Sequence, residues 1–487
     1  MKTVNKRFFC DIAFLAALLF KVFSQGLAYF PVLDDYIQYG GYPIYGDLSH
    51  VYLEIGTIST RPFAAILDPA VWGLFFSNMW VSLLIISVMF FAGTKLIASV
   101  FERMGIRITP FLYTIVLLIP LGFEGTYWIS ASSRICVGLF FTGLASYMLT
   151  KLISNKKCAY WLIYIPATVL SFGFYESVMV LSALLQFAVV LFLVKSNKKR
   201  LMYLITPAVF GLGMIVYYKL AANIGAMGSR AGFSFDGLCD KIYQIFSQFF
   251  EILVKGGALT TVGGAWHGLL ITFSSFWGIV LLFAAIMISA ACAFWGAKET
   301  FSAKAKRCIP LGIIMTFLPL VPNLLSAEVW LTYRSVVPVF FGLTLVSAPL
   351  FTKILKNKAL RTGVIFFMVF LFSLGNINEL DTYKRVSQKD NILVSEIAQQ
   401  LDNDVLSGNK ETIVVIPEEI ITPQVSYYKD HVKSVFDSDW ALTGAVRAKT
   451  KNIKIKTITP MDAGLFALAD IDTSSLQIIY IGGNDGK

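Results

Sequence analysis

The sequence predicts a polytopic α-helical membrane protein of about 11 transmembrane helices with a small α/β domain at its C-terminal end. Three observations lead there. Of the 487 residues, 56% are hydrophobic and only 15% charged, a balance too apolar for a soluble protein and usual for a chain with many spans. Basic residues cluster in every second short loop between apolar runs, the pattern of loops that stay in the cytoplasm. From about Asn376 the composition turns polar and alternates helical and strand-like pieces. The formal charge of +11 therefore reports membrane topology and does not call for a nucleic-acid partner.

A span needs roughly 20 apolar residues. Runs of that kind fall near 8–30, 71–93, 108–123, 135–151, 158–175, 177–194, 201–222, 265–295, 308–325, 335–352 and 362–378. The third is short, and only Tyr175-Glu176 separates the fifth from the sixth. The first segment has no small-x-small cleavage site and runs directly into an acid pair, so it reads as a retained anchor. Asp11 and Lys21 inside it read as a pair or as snorkelling charges, with a direct catalytic part as the lesser alternative.

Lys2, Lys6 and Arg7 precede the first span, and later basic loops carry Lys95 to Arg107, Lys151 to Lys157, Lys195 to Arg200, Lys298 to Arg307 and Lys353 to Arg361. The positive-inside rule then places the N-terminus in the cytoplasm and, after an odd number of spans, the C-terminus outside. Two outer loops are long. Residues 31–70 mix aromatics with turn residues and a short helix around Leu48 to Ile58. Residues 223–264 open on a Gly-rich stretch, Ile224 to Gly232, and continue through Leu238 to Leu253 with apolar residues at the spacing of an interfacial helix. Residues 1–378 are thus read as the transmembrane domain and 379–487 as an extracytoplasmic α/β domain. Its pieces are an amphipathic run at Asp390 to Ala398 and strands at Thr412 to Pro417 and Leu476 to Ile481. No G-x-G-x-x-G, P-loop or G-x-S-x-G signature occurs there, so no separate catalysis is assigned to it.

The six cysteines, Cys10, Cys136, Cys158, Cys239, Cys292 and Cys308, contain no CxxC and read as packing residues. His50, His267 and His431 are too far apart for a ligand cluster. Chemistry is concentrated instead at the predicted outer ends of spans, where Asp34, Asp35, Arg61, Glu124, Arg134, Glu176, Glu328 and Arg334 emerge. Asp34 and Asp35 end the first apolar segment; a carboxylate at a partly buried interface beside a second one is suited to take a proton from a hydroxyl. On an extended chain the two point to opposite sides, so one of them faces the reacting atoms. Arg61, Arg134 and Arg334 suit phosphate, because a guanidinium binds two oxygens at once and stays charged. Each alone also reads as an interfacial anchor, but three beside an acid pair favour a site. Glu176 is a turn acid or a sugar contact, and Tyr36, Tyr39, Tyr42, Tyr45, Tyr127, Trp128 and Trp330 are stacking surfaces or part of an aromatic belt.

The order Asp34-Asp35-Tyr36, Thr60-Arg61-Pro62, Phe174-Tyr175-Glu176-Ser177 and Tyr333-Arg334-Ser335-Val336-Val337-Pro338, followed by a tail through Asn376-Ile377-Asn378, Tyr383 and Asp390, resembles the Gtr type II glucosyltransferases. That family belongs to the GT-C class of integral-membrane glycosyltransferases. The resemblance implies transfer of a sugar, commonly glucose, from a polyprenyl-phosphate donor to O-antigen or a related lipid-linked glycan at the outer face of the bacterial inner membrane. It makes Asp34 or Asp35 the general base and sets Arg61 and Arg334 against phosphate or glycan; Tyr175, Glu176 and Tyr333 in the same motifs, and Arg134 by its place at a span end, are the further candidate substrate contacts. Many relatives carry Tyr-Gln where this chain has Tyr175-Glu176, which bears on the choice of sugar. A single base with in-line attack inverts the anomeric carbon. No cofactor is expected, although an acid pair can also hold a hard cation, so metal dependence stays open. The rival readings are a flippase or transporter of lipid-linked saccharides, disfavoured by the lack of a visible repeat, and a polymerase of whole repeat units.

Overall fold

A computed structural model describes residues 2–55, 57–221, 223–224, 236–325, 329–354, 357–407, 412–417, 432, 434–459 and 476–481. Most of the Gly-rich stretch after Ile224, Glu328 and His431 lie outside the described residues. Among the described residues eight helices are long and apolar enough to cross a membrane, or nine if one bent pair counts as a single span. The chain divides into two compact units, one of Met1–Leu27, Thr57–Ala65 and Leu83–Leu380, the other of Ala28–Gly56, Ile66–Ser82 and Asp381–Lys487.

The first unit is helical. Its elements are α1 (Lys2–Phe23), most of α2 (Trp80–Arg103), α3 (Thr109–Leu118), the short α4 (Phe123–Tyr127), α5 (Ile129–Asn155), α6 (Trp161–Phe172), α7 (Glu176–Leu193), α8 (Asn197–Ala221), α9 (Leu238–Phe250), α10 (Gly264–Phe273), α11 (Phe276–Gly296), α12 (Ala305–Phe317), α13 (Phe340–Ile354) and the first part of α14 (Lys358–Gln399). α1 buries two of its charged residues, Asp11 and Lys21. Asp11 is buried, with Lys95 Nζ at 2.8 Å and the Tyr113 hydroxyl donating at 3.0 Å. A carboxylate inside such a bundle survives only when paired in this way.

Several apolar runs have a different backbone from the one hydropathy suggests. Residues 68–78 form π and 3-10 turns, and the helix expected from 71 starts at Trp80. Apolarity reports the environment of a residue and not the pitch of its backbone. The run 265–295 is two helices, because Ser275 leaves helical geometry and its hydroxyl accepts the Gly278 N–H at 3.1 Å, an N-cap that starts α11 afresh.

The short third run is a bent pair. α3 and the segment Pro120–Tyr127 meet at 55°. The residue before a proline is pushed out of the α region, and Ile119 accordingly sits at φ −57°, ψ 128°, while Pro120 begins a new helical turn. The break strips the last carbonyls of α3 of their helical partners. Two distant side chains replace them: Lys21 Nζ donates to the Leu117 carbonyl at 3.1 Å and Asn376 Nδ2 to the Leu118 carbonyl at 2.7 Å. Gly375 allows the close pass, since a Cβ there would lie 2.6 Å from Pro120 Cγ.

The second unit contains the π-helical segment Tyr36–Gly41, the end of α14, helix α15 (Asp439–Thr450) and a parallel three-stranded sheet in the order β2-β1-β3. The strands are β1 (Thr412–Pro417), β2 (Lys456–Ile458) and β3 (Leu476–Ile481), with Val414 opposite Ile458 on one side and Ile478 on the other. Ile397, Val405, Phe436, Leu442, Val446 and Ile455 build its apolar core, which also takes in Tyr36. The amphipathic run at 390–398 is the last third of α14, because no helix-breaking residue follows the apolar segment.

Candidate functional site

In the second unit, the segment leading to the acid pair turns tightly. The Asp35 N–H donates to the Val32 carbonyl at 3.0 Å and the Tyr36 N–H to that of Leu33 at 3.2 Å. Leu33 adopts φ +43°, a left-handed conformation that costs a non-glycine residue about 1–3 kcal/mol. The other non-glycine residues at positive φ among the described residues, Lys156 and Lys451, close helices, where that conformation is ordinary. Leu33 closes no helix. It sits one residue ahead of Asp34 and Asp35.

The turn treats the two aspartates differently. Asp35 is fully buried, and its Oδ2 accepts the Tyr29 hydroxyl at 2.5 Å and the Val32 N–H at 3.1 Å. Asp34 is only half-buried. The chain is helical here rather than extended, so the alternation expected of a strand does not set their directions. Local hydrogen bonding does. Beyond the pair, the buried Asp68 accepts the Tyr39 hydroxyl at 3.2 Å.

In the first unit, two arginines repeat one construction. The Arg61 Nε lies 3.2 Å from Glu176 Oε1 and 3.3 Å from Oε2, its Nη2 lies 3.2 Å from Oε2, and its guanidinium sits 4.6 Å from the centre of the Tyr175 ring. Glu176 is the first residue of α7, where a carboxylate is favoured by the helix dipole. Arg334 Nε lies 3.7 Å from Glu124 Oε1 and its guanidinium 4.8 Å from the Trp128 ring. Each arginine thus has an acid on one side and an aromatic face on the other, with about a quarter of its side chain exposed.

Arg61 begins beside the Phe63 turn, whose N–H donates to the Gly173 carbonyl at 3.2 Å and ties the loop to the Phe174-Tyr175-Glu176 motif. Arg334 stands in the 3-10 segment Tyr333–Val339, opened by a reciprocal Thr332–Ser335 capping box and packed on α4, α5 and α7. Tyr333 is buried against Gly256. Arg134 is buried in the first turns of α5 and is an interior residue of the bundle. The substrate contacts expected of Arg61, Arg134, Tyr175, Glu176, Tyr333 and Arg334 therefore gather on one group of packed elements, and Asp34 and Asp35 belong to the other unit.

Glu124 and Asp390 stand out in the sequence as acids, but their burial and their partners do not. Glu124 is nearly fully buried as the partner of Arg334; its spacing to Arg334 carries no local signal, although it emerges with the other acids. Asp390 is buried, accepting the Ser434 hydroxyl at 2.5 Å and the Val435 N–H at 3.1 Å. Burial pushes its carboxyl up to about 7 against the pull of those two donors. No group of three or more His, Cys, Asp or Glu side chains among the described residues is placed to hold a metal ion.

No protein-family model matches the chain, and no curated protein sequence matches it.

Proposed function

We propose that this chain is an integral-membrane glycosyltransferase that moves a sugar, glucose in the first instance, from a polyprenyl-phosphate donor to O-antigen or a related lipid-linked glycan. In this reading the protein lies in the bacterial inner membrane with 11 spans, the N-terminus in the cytoplasm, and the C-terminal residues 379–487 forming an α/β domain outside. The observation that carries it is the strained turn at Leu33 ahead of Asp34, since backbone strain at a residue that closes no helix gathers at functional sites.

Asp34 is the general base and Asp35 the residue that fixes the turn. The acceptor hydroxyl gives its proton to Asp34, its oxygen bonds to the anomeric carbon, and the bond from that carbon to the phosphate oxygen breaks with inversion. The polyprenyl phosphate leaves with the electron pair. Arg61 and Arg334, held on Tyr175 and Trp128 by Glu176 and Glu124, are the cations suited to a lipid phosphate.

The test is transfer in detergent from polyprenyl-phosphate glucose to a lipid-linked acceptor. Asp34→Asn is expected to lower turnover by about 100-fold or more with an unchanged melting temperature. Absence of product with every donor, together with saccharide transport in sealed vesicles that survives Asp34→Asn, would establish a flippase in its place.

A further inference from the structure

The second unit contains a cleft of 420 Å³ that the proposed chemistry does not use. Tyr45, Trp440, Thr443, Arg447, Lys456 and Thr457 line it. It lies where α15 passes the π-helical segment Tyr36–Gly41. Glycines make that pass possible: a Cβ on Gly40 would lie 2.8 Å from Ala448 Cβ, and one on Gly444 3.1 Å from the Ile37 nitrogen. The helix and the π-helical segment therefore pass in close contact at one edge of the cleft.

Each wall has a fixed chemistry. Arg447 is anchored twice, its Nε donating to the Ile455 carbonyl at 2.6 Å and its Nη1 to the Tyr45 hydroxyl at 2.8 Å. That holds both the cation and the tyrosine ring in place before any ligand arrives. Thr443 and Thr457 join their hydroxyls at 2.9 Å. Trp440 leaves 45% of its surface uncovered beside them, although it belongs to a helix whose Ala441, Leu442 and Ala445 are fully buried. Among the lining residues Asp439 is the one acid, and its Oδ1 is taken by the Thr459 N–H. Lys456 is exposed at the rim, and the run from Arg447 to Lys456 adds Lys449, Lys451 and Lys454 without an acidic residue.

Aromatic faces suit the C–H surface of a sugar ring, and a fixed guanidinium beside an ammonium suits a carboxylate or phosphate. We infer that this cleft binds an acidic oligosaccharide, with Trp440 stacked on a ring and Arg447 and Lys456 facing the acid group. A flat basic edge alone would equally attract an anionic lipid headgroup, but a recess with the uncovered Trp440 ring in its wall fits a saccharide.

The experiment measures binding by calorimetry to the full chain in uncharged detergent, without a sugar donor. The ligands are tetragalacturonate, neutral maltotetraose and dihexanoyl-phosphatidylglycerol. Tetragalacturonate is expected to bind at least about tenfold more tightly than the other two, and Trp440→Ala or Lys456→Glu to weaken it by about tenfold. Both side chains are exposed, so unchanged melting temperatures are expected of both variants. No binding of tetragalacturonate, equal binding of maltotetraose, preference for the phospholipid, or binding indifferent to both substitutions overturns the inference. Because no transfer is read, its failure leaves the transferase reading standing, and loss of that reading leaves the cleft.

Discussion

At the scale of single residues, the acid pair separates into two jobs. Replacing Asp35 by Ala leaves the Tyr29 hydroxyl and Val32 N–H without their buried acceptor, at a cost of about 1–3 kcal/mol. The expected outcome is a lower melting temperature for Asp35→Ala, in contrast to Asp34→Asn. Asp390 predicts a pH dependence. Its carboxyl ionises near 7 in the folded chain and near 3.9 in an unfolded one. The contribution of this group is thus fully present below about pH 4 and is lost as pH rises through 7, by an amount on the order of 4 kcal/mol at full ionisation. Denaturant unfolding at about pH 5 and about pH 8 should show the native chain weaker at the higher pH, and Asp390→Asn should flatten that difference. The residue types at the candidate site are legible in the sequence. Their partners are not: Arg61 and Glu176 are 115 positions apart, and nothing local joins Arg334 to Glu124.

At the scale of elements, hydropathy locates most of the helices and strands, including β1 and β3 to the residue. It misses the breaks, because a Pro120 bend and a Ser275 cap are backbone events within apolar text. It also splits α14 at a change of polarity that the backbone ignores. The bend makes its own prediction. Asn376→Leu removes the donor to the Leu118 carbonyl and is expected to cost about 1–3 kcal/mol. Gly375→Ala drives a Cβ to 2.6 Å from Pro120 Cγ, and overpacking of that kind costs about 1–3 kcal/mol. Thermal unfolding in detergent checks both. Unchanged melting temperatures would mean the bend is held by other contacts.

At the scale of the molecule, the helical membrane class is legible because composition and the recurrence of long apolar runs both point to it, and misplacing one break alters neither. Sidedness is a separate matter, and the native thiols test it. Cys158 and Cys239 are exposed, and the other four cysteines are buried. In the proposed orientation a membrane-impermeant maleimide labels Cys239 on intact spheroplasts and reaches Cys158 only after permeabilisation. The reverse pattern would invert the topology.

The Pro120 bend also bears on how the chain is made. Its two open carbonyls are closed by a residue 96 positions earlier and one 258 positions later. As the polypeptide leaves the ribosome, the turn after Leu118 therefore enters the lipid with one carbonyl partner still untranslated. Until the last apolar helix is in place, the Leu118 carbonyl lacks the donor that closes the bend, so the third helix is completed only when the chain is nearly whole.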